Sequence, residues 1–198
     1  MKRRFLSVLA LLIGIAGAVF GQTPATLPYS CDFEATGDNG WTLKNGACIN
    51  KWHVGTFSSP TGHSGSLFIS EDNGATAGYN IGEYSAVIAE KLFQTGETDS
   101  LAIGFDVTID GEYDYDYLKV FWVPADTNFE GSHNSVYFAE RNYNTNVIMS
   151  NAPAGSRYYI YNTEGRRKVC IANEPNTLKK LVFVWKNDGG GGINPERL

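Results

Sequence analysis

Residues 101–109, LAIGFDVTI, decide the fold class of this chain. Apolar side chains occupy every second position from Leu101 to Ile109, and small or polar side chains fill the positions between them. Successive side chains of a β-strand point to opposite faces of the sheet. This period of two therefore predicts a strand with one face against a core and the other exposed.

Similar short runs recur along the chain and are separated by Gly, Asn, Asp, Pro and Ser, the residues typical of turns. No segment shows a long apolar stripe of helical period with caps. The pattern predicts an all-β fold, a jelly-roll β-sandwich of two antiparallel sheets. The predicted runs are residues 29–34, 52–57, 66–70, 85–93, 101–109, 117–123, 147–150, 158–161, 168–171 and 181–185.

Residues 1–21 have the three parts of a secretory signal peptide. Basic residues come first, an apolar run at 5–20 follows, and Val19 and Gly21 supply the small side chains of a cleavage site before Gln22. The apolar run is shorter than the roughly twenty residues that a membrane-spanning helix needs. We therefore expect a secreted or cell-surface protein without membrane insertion.

The predicted mature chain is a single jelly-roll domain over residues 22–188, followed by a Gly-rich tail at 189–198. The full chain carries a net charge of −5, and loss of the basic signal makes it more acidic. Such a surface repels phosphate backbones, so nucleic acid is not an expected partner. An excess of carboxylates suits Ca²⁺, which binds through oxygen ligands.

Three cysteines allow at most one disulfide within the chain. A Cys31–Cys48 bridge would close a short N-terminal loop, and the alternative is that Cys31, Cys48 and Cys170 are all small buried hydrophobic residues. Their spacing matches neither a zinc site nor a CxxC redox pair. The sequence leaves the pairing open.

Five segments occur in a characteristic order: Leu27–Glu34, Gly40–Leu43, Trp52–Gly55, Ser66–Ser70 and Asp116–Pro124. Together they resemble the cleaved-adhesin, or choice-of-anchor J, domains, which are MAM-like jelly rolls of secreted Bacteroidetes-type proteins. The resemblance implies a non-catalytic adhesin-like module that binds host or matrix proteins or glycans. A carbohydrate-binding accessory module is the alternative.

The chain departs from that family near its C-terminus. Members continue from a segment like Val182–Asp188 into a final strand, whereas here Gly189–Gly192 lead to residues 193–198. The resemblance therefore implies a jelly roll that lacks its closing strand. An exposed strand edge would follow, with marginal stability or association with a partner.

The resemblance also implies a structural Ca²⁺ near the N-terminal strand, with Glu34 as a ligand. Asp32 and Glu34 would point to the same side of an extended strand. We choose Asp72, with Asn73 beside it, as the loop that would meet them. The alternative is that Asp72 and Asn73 are ordinary turn residues.

Four carboxylates alternate along residues 110–116 and would share one face of an extended chain. They indicate a solvated loop, a cation site with Asp116 as a ligand, or a catalytic pair. Asp116 is the member that we expect to be structural, because it is in phase with Leu118 and Val120.

The catalytic interpretation comes from Glu112, Asp114 and Asp116, which resemble the Glu-x-Asp-x-Glu strand motif of jelly-roll glycoside hydrolases. Retaining hydrolysis needs carboxyl groups about 5–5.5 Å apart, whereas positions four apart in a strand have Cα atoms roughly 13 Å apart. No Gly-x-Ser-x-Gly elbow occurs either. We predict that the chain is not an enzyme, with a hydrolase using Glu112 and Asp114 as the alternative.

Tyrosines crowd the second half of the chain, and Tyr143, Tyr159 and Tyr161 are our candidates for ligand binding. Exposed aromatic rings stack on sugar faces or anchor protein contacts. The competing interpretation is that these rings cover half-buried sheet surface, where tyrosine pairs well across strands.

Overall fold

The computed structural model describes residues 22–56, 64–130, 147–151 and 159–190. Within these residues the chain is all-β and contains no helix, which confirms the predicted fold class. The strands are β1 (Ala25–Thr26), β2 (Thr42–Lys44), β3 (Lys51–Thr56), β4 (Gly65–Ser70), β5 (Tyr84–Gln94), β6 (Ser100–Ile109), β7 (Tyr117–Pro124), β8 (Thr163–Ala172) and β9 (Leu178–Asp188).

The main sheet has five strands in the order β1-β5-β9-β7, and β2 also pairs with β5. β5 and β9 are antiparallel over their whole length, from Tyr84 opposite Asp188 to Gln94 opposite Leu178. Most of their residues are buried, because side chains on both faces of this sheet are covered. β9, the last described strand, therefore lies in the middle of the sheet, with β7 along its other edge.

Two antiparallel strand pairs form separate two-stranded sheets. One is β3 with β4, which follow each other in the chain, and the other is β6 with β8, which do not. Along β6, the odd-numbered residues from Leu101 to Ile109 are partly or fully buried and the even-numbered ones are exposed. The prediction of a half-buried strand is confirmed. Residues of both two-stranded sheets pack on one face of the main sheet, as in a β-sandwich.

The larger core cluster fills the space between the main sheet and the two two-stranded sheets, and it includes Trp52, Val120 and Trp185. A smaller cluster lies on the opposite face of the main sheet, where Phe129 covers Phe121 and its neighbours. Alternating side chains of β7 supply both clusters, since Val120 and Phe121 point to opposite faces.

The predicted strand at residues 29–34 is wrong. Phe33 has a φ of 59°, in the left-handed region, and the backbone N–H of Glu34 donates to Oδ1 of Asp32 at 3.1 Å. This Asx-type turn interrupts the extended backbone. Asp32 and Glu34 therefore do not share a strand face.

Other differences concern strand length. The predicted runs at 147–150 and 158–161 contribute only single bridges, Val147 to Phe121 and Ile160 to Leu118, and residue 158 lies outside the described residues. β8 and β9 are longer than predicted, because pairing with β6 and β5 extends them beyond their apolar segments. The predicted signal peptide at 1–21 and the tail beyond Gly190 also lie outside the described residues. Across the described ranges there is no helix long and apolar enough to cross a membrane.

Candidate functional site

A cleft of about 810 Å³ lies between the two two-stranded sheets, β3-β4 and β6-β8. Residues 65–69 of β4 line one wall and residues 104–109 of β6 line the other. Leu118, Phe183 and Trp185 of the main sheet also line it, and they form the floor. Consecutive side chains of a strand point to opposite faces of its sheet. Because consecutive residues of β4 and of β6 line the cleft, the cleft borders the backbone edge of each strand as well as one face.

Aromatic rings stabilise the floor. Phe183 stacks on Trp41 with ring centroids 5.3 Å apart, and it meets Phe105 edge to face at 5.2 Å. Trp185 contacts Tyr79 edge to face at 5.0 Å. Pairs of this kind contribute about 0.5–1.5 kcal/mol each beyond the burial of their area. The floor is therefore a preformed apolar surface.

The rim of the cleft is acidic. Asp32, Asp110 and Glu164 line it, together with the pair formed by Arg166 and Asp106. Nη1 of Arg166 lies 2.8 Å from Oδ2 of Asp106. This pair is largely exposed and contributes little to stability. Within it, the carboxylate of Asp106 balances the positive charge of Arg166. The net charge of these rim residues is negative.

Asp116 is fully buried beside one end of the cleft. Its Oδ2 accepts a hydrogen bond from the Tyr79 hydroxyl at 3.0 Å, and its Oδ1 accepts one from the backbone N–H of Asp188 at 3.2 Å. Burial raises the pKa of Asp116 to about 6, against the lowering effect of these two hydrogen bonds. The prediction that Asp116 is structural is confirmed by its contacts.

Glu34 holds the start of β4. Its Oε1 accepts hydrogen bonds from the backbone N–H groups of Ser64 and Gly65 at 2.7 and 2.8 Å, and its Oε2 accepts one from the Ser64 hydroxyl at 2.7 Å. A side chain at Gly65 would clash with the carbonyl of Phe33. The N-terminal segment is therefore fastened closely to β4.

Asp72 stabilises the turn after β4. Oδ1 accepts hydrogen bonds from the Ser70 hydroxyl at 2.6 Å and from the backbone N–H of Thr76 at 2.9 Å, and Oδ2 accepts one from the Thr76 hydroxyl at 2.7 Å. The hydrogen bonds from Ser70 and Thr76 lower the pKa of Asp72 well below its ordinary value. This arrangement is that of a turn residue.

Glu34 and Asp72, the predicted calcium ligands, and Asp116, from the second predicted cation site, all bind protein donors in this structure. Both carboxylate oxygens of each already accept protein hydrogen bonds. Among the described residues, no group of three or more His, Cys, Asp or Glu side chains lies close enough to hold a metal ion. Ca²⁺ coordination would need six to eight oxygen ligands.

The acidic residues 110–116 form a turn, so the extended strand that both the cation and catalytic interpretations assumed is absent there. Asp114 has a φ of 69°, and the backbone N–H of Asp116 donates to the carbonyl of Glu112 at 3.0 Å. Glu112 and Asp114 are partly buried rather than aligned on one strand face. Their order along the chain resembles the hydrolase motif, but their local geometry does not.

The candidate ligand-binding tyrosines have different positions. Tyr159 is fully buried and stacks on Tyr117 with centroids 4.5 Å apart, so its ring is core and not a binding surface. Tyr161 is half-buried and meets Tyr113 edge to face at 5.3 Å. Tyr143 lies outside the described residues. Among the residues that the structure describes, the exposed aromatic rings are Tyr113 at 45% and Tyr115 at 48%, neither of which was a predicted binding residue.

The three cysteines are not joined by disulfides. Cys48 is buried, Cys31 is half-buried and Cys170 is exposed. Burial raises the pKa of the Cys48 thiol to about 11. Only Cys48 matches the expectation of a small buried hydrophobic residue.

The cleft itself was not predicted from the sequence. Its walls are contributed by strands that are far apart in the chain, with β5 between them. The available signal was indirect, because the apolar residues at odd-numbered positions of β6 predict its buried face but not the strand that lies beside it. Comparisons with family models, curated proteins and solved structures found no match to this chain.

Proposed function

We propose that this chain is a secreted or cell-surface, non-catalytic adhesin-like module that binds an extracellular protein or glycan in the cleft. The observation that carries the proposal is the cleft of about 810 Å³ with its aromatic floor and acidic rim. Binding sites are typically concave and largely apolar, with a few polar groups that orient the ligand. The signal-like residues 1–21 and the resemblance to cleaved-adhesin domains support export and the class.

A screen on a glycan array and on immobilised matrix proteins tests this proposal. A Thr108→Trp variant places a bulky ring on the wall of the cleft, and Ala102→Trp is its control on the same exposed face of β6, outside the cleft. We expect Thr108→Trp to weaken binding by about tenfold, a change of roughly 1.4 kcal/mol. The control should bind as the wild type does. Equal effects of both substitutions, or no binding anywhere, would contradict the proposal.

A carbohydrate-binding accessory role is the second candidate, and the exposed rings of Tyr113 and Tyr115 favour it. Planar rings of this kind stack on sugar faces. Tyr115→Ala should then abolish array signals that Thr108→Trp leaves intact. The reverse result assigns the binding to the cleft.

The non-catalytic part of the proposal is tested on a panel of polysaccharides. We expect no release of reducing sugar by the wild type. Hydrolysis that a Glu112→Gln variant loses would establish the alternative, a glycoside hydrolase.

A further inference from the structure

We propose that the cleft takes an extended polypeptide segment of a partner protein, which adds as a strand between β4 and β6 and joins the two two-stranded sheets into one. The inference rests on the proposed binding function and names its ligand class. It is carried by the cleft-facing backbone groups of Leu67 on β4 and of Gly104, Asp106 and Thr108 on β6, for which the described part of the chain provides no hydrogen-bond partner.

On β4, the odd-numbered residues direct their backbone groups away from β3. The carbonyl of Ile69 accepts a hydrogen bond from Gly78, and the N–H of Gly65 donates to Glu34, and neither partner belongs to β3. Antiparallel pairs alternate between bonded and non-bonded positions. The N–H and carbonyl of Leu67, midway between, therefore point into the cleft.

On β6, the even-numbered residues direct their backbone groups away from β8. The N–H of Asn173 donates to the carbonyl of Asp99 at 2.7 Å, just beyond the paired ends Ser100 and Ala172. The register continues without a bulge to Ile109. By the same alternation, Gly104, Asp106 and Thr108 turn their N–H and carbonyl groups toward the cleft.

The two walls run in the same direction. Ile69, at the end of β4, bonds to Gly78 beside Tyr79, and the negative charge of Asp110, just after β6, acts on the same Tyr79. Both strands therefore end at the Tyr79 end of the cleft. One added strand that runs opposite to them can pair with both in antiparallel geometry, forming hydrogen bonds on each of its edges.

The lining of the cleft also predicts which side chains the added strand should carry. Alternate residues would face the apolar floor of Leu118, Phe183 and Trp185, so they should be apolar. The residues between them would face solvent beside the acidic rim, where lysine or arginine is favoured by charge. Main-chain hydrogen bonds provide affinity, and this alternation provides specificity.

The test uses synthetic octapeptides and the full chain. The probe alternates lysine and valine, and a matched peptide carries N-methyl groups on two central residues, which removes donors without changing charge. We expect the probe to bind in titration calorimetry, and the methylated peptide to bind at least about tenfold more weakly, the effect of losing a buried hydrogen bond. Equal affinity of both peptides would overturn the proposal.

Amide hydrogen exchange provides a direct readout on the wild-type protein. The probe should slow exchange at Leu67, Gly104 and Thr108, whose N–H groups face the cleft. Lys168 and Cys170 are the control, because the same alternation turns their N–H groups toward the outer edge of β8. Protection of the outer edge instead of the cleft edge would exclude this site.

A proline pair tests the same point by substitution. Thr108→Pro removes a cleft-facing N–H from β6, and Cys170→Pro removes an outward-facing N–H from β8 of the same two-stranded sheet. We expect only Thr108→Pro to weaken peptide binding, with thermal melting as the check on folding. If Thr108→Pro does not fold, the comparison of the two peptides on the wild type decides the question.

Two further outcomes would reject the proposal and leave different conclusions. If the peptide fails to bind while a glycan or protein still binds in a manner sensitive to Thr108→Trp, the proposed function stands and the strand mechanism does not. If the chain forms dimers in sedimentation that Thr108→Pro abolishes and no peptide binds, the occupant is a second copy.

Discussion

The hydroxyl of Tyr79 donates a hydrogen bond to Oδ2 of Asp116 at 3.0 Å, and both side chains are buried. The bond joins the segment after β4 to the start of β7. The second oxygen of Asp116 accepts the backbone N–H of Asp188, at the end of β9. One buried carboxyl group thus connects three distant parts of the chain.

The first prediction concerns the pH dependence of stability. Burial raises the pKa of Asp116 from an ordinary value of 3.8 to about 6, so the folded carboxyl keeps its proton to a higher pH than the unfolded one. Its stabilising contribution is therefore present below about pH 4 and is lost as the pH rises to about 6, a change of about 3 kcal/mol in the free energy of unfolding.

The comparison with Asp116→Asn isolates this group, because asparagine does not titrate. In urea unfolding, the stability of the variant relative to the wild type should rise between about pH 3 and pH 7 by about 3 kcal/mol. A difference that stays constant across this range would show that Asp116 does not titrate there.

The second prediction concerns Glu34. A Glu34→Ala variant loses three hydrogen bonds to Ser64 and Gly65. Because the site is exposed, we expect a modest loss of about 1 kcal/mol and a decrease of about 2–4 °C in the melting midpoint.

EDTA separates this role from calcium binding. Since the oxygens of Glu34 bind protein donors, the chelator should leave the melting midpoint of the wild type unchanged. A decrease on adding EDTA that Glu34→Ala no longer shows would instead establish a calcium site at this residue.

The third prediction concerns the buried carboxylate of Glu90. Its Oε1 lies 3.1 Å from Nζ of Lys44 and 3.3 Å from Nζ of Lys180. Glu90→Gln leaves two ammonium groups beside a neutral amide in the interior. Breaking a buried ion pair in this way should cost about 3–5 kcal/mol in denaturant unfolding. Glu97→Gln, on the exposed turn after β5, is the matched control and should change stability by less than about 0.5 kcal/mol.

The fourth prediction concerns thiol reactivity. Iodoacetamide should label Cys170 rapidly in the folded protein, because this thiol is exposed. Cys48 should react only after unfolding, since burial protects it and raises its pKa to about 11. Peptide mass spectrometry measures both rates, and equal labelling of the two thiols under native conditions would show that Cys48 is not buried.

The positions of individual strands were predictable where side-chain alternation is strong. β6 is the clearest case, because each apolar residue from Leu101 to Ile109 faces the core. The strand predicted at 29–34 was wrong for a local reason, because an Asx-type turn at Asp32 and the left-handed backbone of Phe33 interrupt the extended chain. The prediction that Tyr159 binds a ligand was wrong for a tertiary reason. Its ring is buried by stacking on Tyr117, a contact that the sequence pattern does not reveal.

The sequence by itself determined the all-β class and the inward face of β6, because both depend on neighbours one and two positions apart. Tertiary structure alone decided that the edges of β4 and β6 face each other across an aromatic floor, and that Asp116 is buried. These features depend on strand order and on contacts between distant residues, such as that of Asp116 with Asp188. Local side-chain patterns specify which face of a strand is buried, but not which strand lies beside it.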